Sequence, residues 1–103
     1  MAVAKHPTAL IADDEPLLRE RLAALLQTLW PELRVVGQAR HGREAIELFD
    51  AHDPDIAFLD IRMPGLSGLD AAQHIARRAH LVFVTAYQEH AVAAFEQGAV
   101  DYL

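Results

Sequence analysis

The sequence predicts an α/β domain in which a parallel sheet is buried on both faces by helices. Short apolar runs alternate with segments of helical period from one end of the chain to the other. Such alternation calls for right-handed crossover connections and hence parallel strands. Two of the apolar runs are followed directly by acidic residues, at the strand ends where open parallel sheets bind ligands. With 103 residues and no internal repeat, linker or low-complexity stretch, the chain is read as one domain over 1–103.

Each element follows from local pattern. Thr8–Ala12 (TALIA) is a short apolar run closed by three acids and a proline, a buried strand. From Pro16 the period changes: Leu18, Leu22, Leu25 and Leu29 mark one face of an amphipathic helix, with proline at a favourable first position. Trp30-Pro31 ends it, because the residue before a proline is pushed out of the helical region. Leu33–Ala39 is a valine-rich second strand. Gly42–Ala51 is a second helix, with Ala45, Leu48, Phe49 and His52 on or near one face. Ile56–Leu59 is a third strand ending at Asp60, followed by the turn RMPGLSG. Leu69–Arg78 is a third helix with Leu69, Ala72, Ile75 and Ala76 inward and Ser67 as its cap. Leu81–Val84 is a fourth strand, Gln88–Gln97 a fourth helix closed by Gly98, and Val100–Leu103 opens a fifth strand.

Composition removes several function classes. Nine basic against fifteen acidic residues give a formal net charge of −6, which opposes direct nucleic-acid binding by this segment. The absence of cysteine removes disulfides, thiolate metal sites and cysteine nucleophiles. No apolar stretch approaches the roughly twenty residues of a spanning helix, and the N-terminus is no secretory signal, so a cytoplasmic protein without membrane contact is expected. His6, His41, His52, His74, His80 and His90 form no zinc-binding pair. Arg77-Arg78 is read as a solvated helix end, and Trp30 as core or helix-end packing.

Asp13, Asp14 and Glu15 follow the first strand and Asp60 follows the third. If those strands are neighbours, Asp14 and Asp60 meet, and Thr85, ending the fourth strand, reaches the same edge. Two carboxylates about 4 Å apart repel by roughly 4 kcal/mol at an effective dielectric near 20, which favours a cation between them. An all-oxygen set selects a hard divalent ion, and Mg²⁺ suits it better than Ca²⁺. The plainer alternative is that Asp14 or Glu15 caps the helix at Pro16 and Asp60 is a turn residue. The joint placement of the acids and Thr85 favours a site.

The segments ALIADDEP, IAFLDIRMPGLSGLD, VFVTAY and GAVDYL, in this order, resemble the receiver domains of two-component response regulators. The resemblance implies a flavodoxin-like doubly wound sheet of order 2-1-3-4-5, here lacking the end of the fifth strand and the fifth helix. It makes Asp60 the phosphoacceptor, and Asp13 and Asp14 the acid pair for Mg²⁺, with Asp14 the more direct ligand. Arg62 takes the position whose backbone carbonyl completes the metal shell. Thr85 corresponds to the switch hydroxyl, Ala86 to the small residue beside it, and Tyr102 to the aromatic switch. The stretch AYQEHAVAAFEQGAVDYL further resembles receivers joined to LytTR-type DNA-binding domains.

The implied activity is uptake of a phosphoryl group from a sensor histidine kinase, with Asp60 as covalent nucleophile. The protein is then no enzyme beyond Mg²⁺-dependent self-phosphorylation and autodephosphorylation. Its response is a shift of the surface near the fourth helix and fifth strand that controls an output domain, a DNA-binding one absent from this chain. The chain stops short of the family's lysine after the aromatic switch, and Lys5 is no obvious substitute. A fragment of a longer regulator and a degenerate single-domain receiver both account for this ending, the intact acids favouring the former. Either implies weakened folding and a fourth-strand edge open to a homodimer or strand-swapped oligomer. Two rival functions are a dehalogenase-like phosphatase and a receiver-fold binding module that is never phosphorylated. Arg62 stands where the phosphatase needs its second aspartate, and the intact acids oppose the unphosphorylated module.

Overall fold

The computed structural model describes residues 6–84 and the backbone of 99–102. Its elements are β1 (Thr8–Ala12), α1 (Pro16–Leu29), β2 (Arg34–Ala39), α2 (Gly42–His52), β3 (Ile56–Leu59), α3 (Gly68–Ile75), β4 (His80–Phe83) and β5 (Ala99–Tyr102). All pairings are parallel, and the sheet order is β2-β1-β3-β4-β5. The expected flavodoxin-like sheet is therefore present. The fourth helix expected over Gln88–Gln97 lies outside the described residues.

Alternation along the strands divides the core in two. Leu10, Ala12, Ala57, Leu59, Leu81 and Phe83 face α2 and α3, where they pack with Phe49, Ala72 and Ile75. Ala9, Ile11 and Phe58 face the other way, with Leu22, Ala23 and Leu26 of α1 packed against them. Strands buried on both sides read as nearly continuous apolar runs, which is why β1 and β3 fall where the sequence predicts. α1 begins at Pro16 and ends before Trp30 as expected, while β2, α2, α3, β4 and β5 shift by one to three residues at their ends, within the usual uncertainty of boundaries.

α1 departs further. Of its leucine stripe only Leu22 faces the sheet; Leu18, Leu25 and Leu29 are 47%, 53% and 71% exposed. The inward side carries Arg19, Leu22, Ala23 and Leu26, a rotation of roughly 80° from the stripe at 100° per residue. Arg19 Nη1 donates to the Asp13 carbonyl oxygen at 2.7 Å, a contact that needs this face turned in. Trp30 is also more open than core packing would make it, at 37% exposed. On α2, Ala45 and Phe49 of the expected face are buried, and His52 at the helix end is exposed.

The α3 end differs too. The helix stops at Ile75, and Arg77 takes a left-handed conformation, φ 70°. Arg78 is not simply solvated: its Nη1 donates to Asp50 Oδ1 at 3.2 Å, and its guanidinium lies 4.7 Å from the Phe49 ring centroid. His74 Nε2 bonds the same Asp50 at 2.9 Å. The open fourth-strand edge is also corrected. β4 pairs with β5 in the register Leu81↔Ala99, Val82↔Asp101 and Phe83↔Tyr102, so the sheet's terminal strands are β2 and β5. Four residues after Gly98 suffice for these parallel bonds, so β5 is as long as β3 and β4.

Candidate metal and phosphoryl site

The β1–β3 register sets the site. Ala12 pairs with Leu59, so Asp13 and Asp60 each stand one residue beyond the last paired position, side by side. The Asp60 N–H donates to the Ala12 carbonyl at 2.9 Å, and the Asp13 N–H donates to the Ala39 carbonyl at 3.0 Å. Carboxylate oxygens of Asp13, Asp14 and Asp60 all lie within 4.8 Å of one another. Among the described residues this is the one group of acids or histidines so arranged. Histidine takes no part in it, as expected.

The capping alternative for these acids does not hold. Glu15 occupies the N-cap of α1 but makes no side-chain cap bond. Asp13 Oδ1 instead accepts the Glu15 N–H at 2.9 Å, turning the chain sharply after β1. Asp13 is 8% exposed, while Asp14 is open to solvent. Burial raises the Asp13 pKa first of all; the Glu15 N–H bond opposes this, and the neighbouring Asp14 and Glu15 raise it further. A carboxylate held where its charge is disfavoured by burial and like neighbours suits a bound cation. The donors are all oxygen, and the cluster has both a nearly buried and an open ligand. These residues fit a hard divalent ion such as Mg²⁺, which keeps part of its water shell.

Asp60 also organises its own loop. Its Oδ1 accepts the Arg62 N–H at 3.3 Å, and the Arg62 side chain is exposed. Beside it lies a cleft of about 500 Å³ lined by Asp14, Arg62, Met63, Pro64 and Leu69, among others. Ser67 then opens α3 through a capping box with Asp70, Oγ accepting the Asp70 N–H at 3.2 Å. Two glycines let this loop close. A Cβ on Gly68 would fall 1.9 Å from the Asp60 carbonyl oxygen, and one on Gly42 2.0 Å from that of Leu66. In the sequence Gly68 belongs to the turn RMPGLSG and Gly42 opens a helix; their packing role has no local signal. The Arg19 bond to Asp13 was likewise missed, because an arginine one turn into a helix ordinarily points to solvent.

Thr85 and Ala86 lie outside the described residues, as does Lys5. Tyr102 is placed by its backbone, paired with Phe83 in β5. Val84, just before Thr85, donates its N–H to the Leu59 carbonyl at 2.9 Å, which carries the β4 exit along the same sheet edge as Asp60. No helix among the described residues is long and apolar enough to cross a membrane.

Comparison with known proteins agrees with this geometry. The model of the response regulator receiver domain matches residues 9–103. An uncharacterized response regulatory protein of Vibrio cholerae is 48% identical over 99 residues, 93% of this chain and 38% of that protein. The positive alginate biosynthesis regulatory protein of Pseudomonas aeruginosa is 47% identical over 97 residues, 91% of this chain and 39% of its own length. The chain thus spans about two-fifths of these relatives. Among solved structures, the Thermotoga maritima response regulator TrrA in complex with Mg²⁺ and BeF superposes with TM-score 0.82 at 32% identity, over 94% of this chain and 84% of that one.

Proposed function

Because the chain belongs to the response regulator receiver domain family, we propose that Asp60 is the residue on which it accepts a phosphoryl group in two-component signalling. The observation that carries this is the cluster of Asp13, Asp14 and Asp60 at the adjoining ends of β1 and β3. An Asp60 carboxylate oxygen forms a bond to phosphorus as the N–P bond of a sensor kinase's phosphohistidine breaks, and the imidazole departs. The Arg62 N–H orients the Asp60 carboxylate. The Glu15 N–H does the same for Asp13. Asp13, Asp14 and Asp60, with the Arg62 backbone carbonyl, would hold Mg²⁺, which when bound neutralises charge on the acids and on the transferred oxygens.

In the same reading the Thr85 hydroxyl bonds the new phosphoryl group and Tyr102 follows as the aromatic switch. Self-phosphorylation and autodephosphorylation on Asp60 are the only chemistry assigned to the domain, which occupies residues 1–103. The output is a DNA-binding domain of the LytTR type in the cytoplasm, a reading that rests on the resemblance of AYQEHAVAAFEQGAVDYL; the relatives' greater length leaves room for such a domain.

The test is titration with Mg²⁺ and beryllofluoride or a small phosphodonor, followed by intact mass and backbone NMR. One phosphoryl group on Asp60, absent in Asp60→Asn, is expected. A wild-type chain that binds Mg²⁺ but is never modified would sink the assignment.

A further inference from the structure

Resting on that metal-site reading, we propose that Arg19 is a positioning residue for Mg²⁺, acting through the backbone of the acid pair. The carbonyl that Arg19 Nη1 grips at 2.7 Å is that of Asp13, and this carbonyl lies in the peptide plane joining Asp13 to Asp14. Rotation of that plane would change Asp13 ψ and Asp14 φ together and swing the two carboxylates relative to each other. The rest of Asp13 is already held: its N–H by the Ala39 carbonyl and its Oδ1 by the Glu15 N–H. Arg19 closes the remaining degree of freedom. Asp14, exposed and one residue further on, is carried by the same peptide.

Two features set the contact apart from incidental helix-end packing. Among the described residues the Arg19 Nε is buried with no hydrogen-bond partner, a cost usually avoided. In addition, α1 turns Arg19 towards the sheet while Leu18, Leu25 and Leu29 stay exposed. Leu22, Ala23 and Leu26 pack α1 on the sheet, and Arg19 ties it to the loop that carries the acids. The guanidinium bonds the Asp13 backbone carbonyl, while the Asp13 carboxylate takes its hydrogen bond from the Glu15 N–H. Its work is geometric and differs from neutralising the acids.

The experiment is Mg²⁺ titration of the full chain and of Arg19→Met and Arg19→Lys, read by the Asp14 and Asp60 amide NMR shifts, with urea melts in EDTA. Outer partners that orient metal ligands are typically worth 10–100-fold in affinity. Arg19→Met should bind Mg²⁺ at least roughly tenfold more weakly while remaining folded. Arg19→Lys, which keeps the charge on a shorter reach without the fork, should recover only part of the loss. Wild-type affinity in either folded variant would overturn the inference. So would full recovery by Arg19→Lys, which would mean that charge alone matters. Should Arg19→Met fail to fold, Arg19→Lys carries the decision by the same reading. If the wild-type chain itself binds no Mg²⁺, the metal-site reading fails instead.

Discussion

Replacing Asp13 by Asn should stabilise the metal-free chain and weaken its response to Mg²⁺. Asn keeps Oδ1 as acceptor for the Glu15 N–H, so the turn survives and the charge alone is removed. Taking the 4.8 Å limit for each carboxylate pair, one repulsion is worth about 0.9 kcal/mol at the dielectric of water and about 3.5 kcal/mol at an effective 20. Asp13 takes part in two of the three pairs. Asp14 is exposed, which places the gain near the screened end, at roughly 2 kcal/mol and a melting shift of about 10 °C.

The pH dependence has a definite sign. The folded pKa of Asp13 lies above the ordinary 3.8, so the folded state binds its proton more tightly than the unfolded state does. Wild-type stability then falls as pH rises from the unfolded carboxylate value through the raised folded one, and the penalty persists above it. The Asn variant should lead at neutral pH in EDTA and lose that lead in acid. Saturating Mg²⁺ should reverse the order, since wild type gains about 2.7 kcal/mol at a hundred times Kd. Thermal melts in EDTA and in Mg²⁺ decide it. A variant less stable than wild type without metal, or one that gains as much from Mg²⁺, would refute the reasoning.

Gly68→Ala places a Cβ 1.9 Å from the Asp60 carbonyl oxygen, which neither backbone can yield easily; a loss of about 1–3 kcal/mol, measured by urea unfolding, is expected, with shifted Asp60 and Ile61 amides. Ser67→Ala removes the capping box of α3 and should cost about 1 kcal/mol, a loss that Ser67→Thr should largely avoid in the same assay. Asp50 has its pKa lowered mainly by its hydrogen bond to His74, burial working against this and the His74 and Arg78 charges adding to it. Its contribution is therefore full above the ordinary 3.8 and lost as pH falls through the lowered folded value. Asp50→Asn should flatten that acid slope in melts between about pH 2 and 5.

Much of the site was legible because it is built from strand ends. A buried parallel strand is apolar along its whole length, so the first polar residue after TALIA or IAFL marks the sheet edge. Asp13, Asp14 and Asp60 could be placed there from pattern alone, given neighbouring strands. The Ser67 cap was legible for a similar reason, since it is decided within three residues. The α1 orientation was not. Its leucine period is genuine, yet the sheet takes the neighbouring side with Leu22, Ala23 and Leu26, and Arg19 on that side bonds a carbonyl six residues back. The Arg78 contact with Asp50 and Phe49 was invisible because its partners lie on another helix.

The amino-acid sequence by itself determined the order of elements and the donor chemistry of the site, because both depend on periodicity and residue type over a few positions. Tertiary structure alone decided that β1 and β3 are in register, that β4 is covered by β5, and that Gly68 must lack a side chain beneath Asp60. It also decided which face of α1 meets the sheet. Each of these depends on the distance between atoms remote in the chain, and burial and close approach are properties of neighbours that no local pattern names.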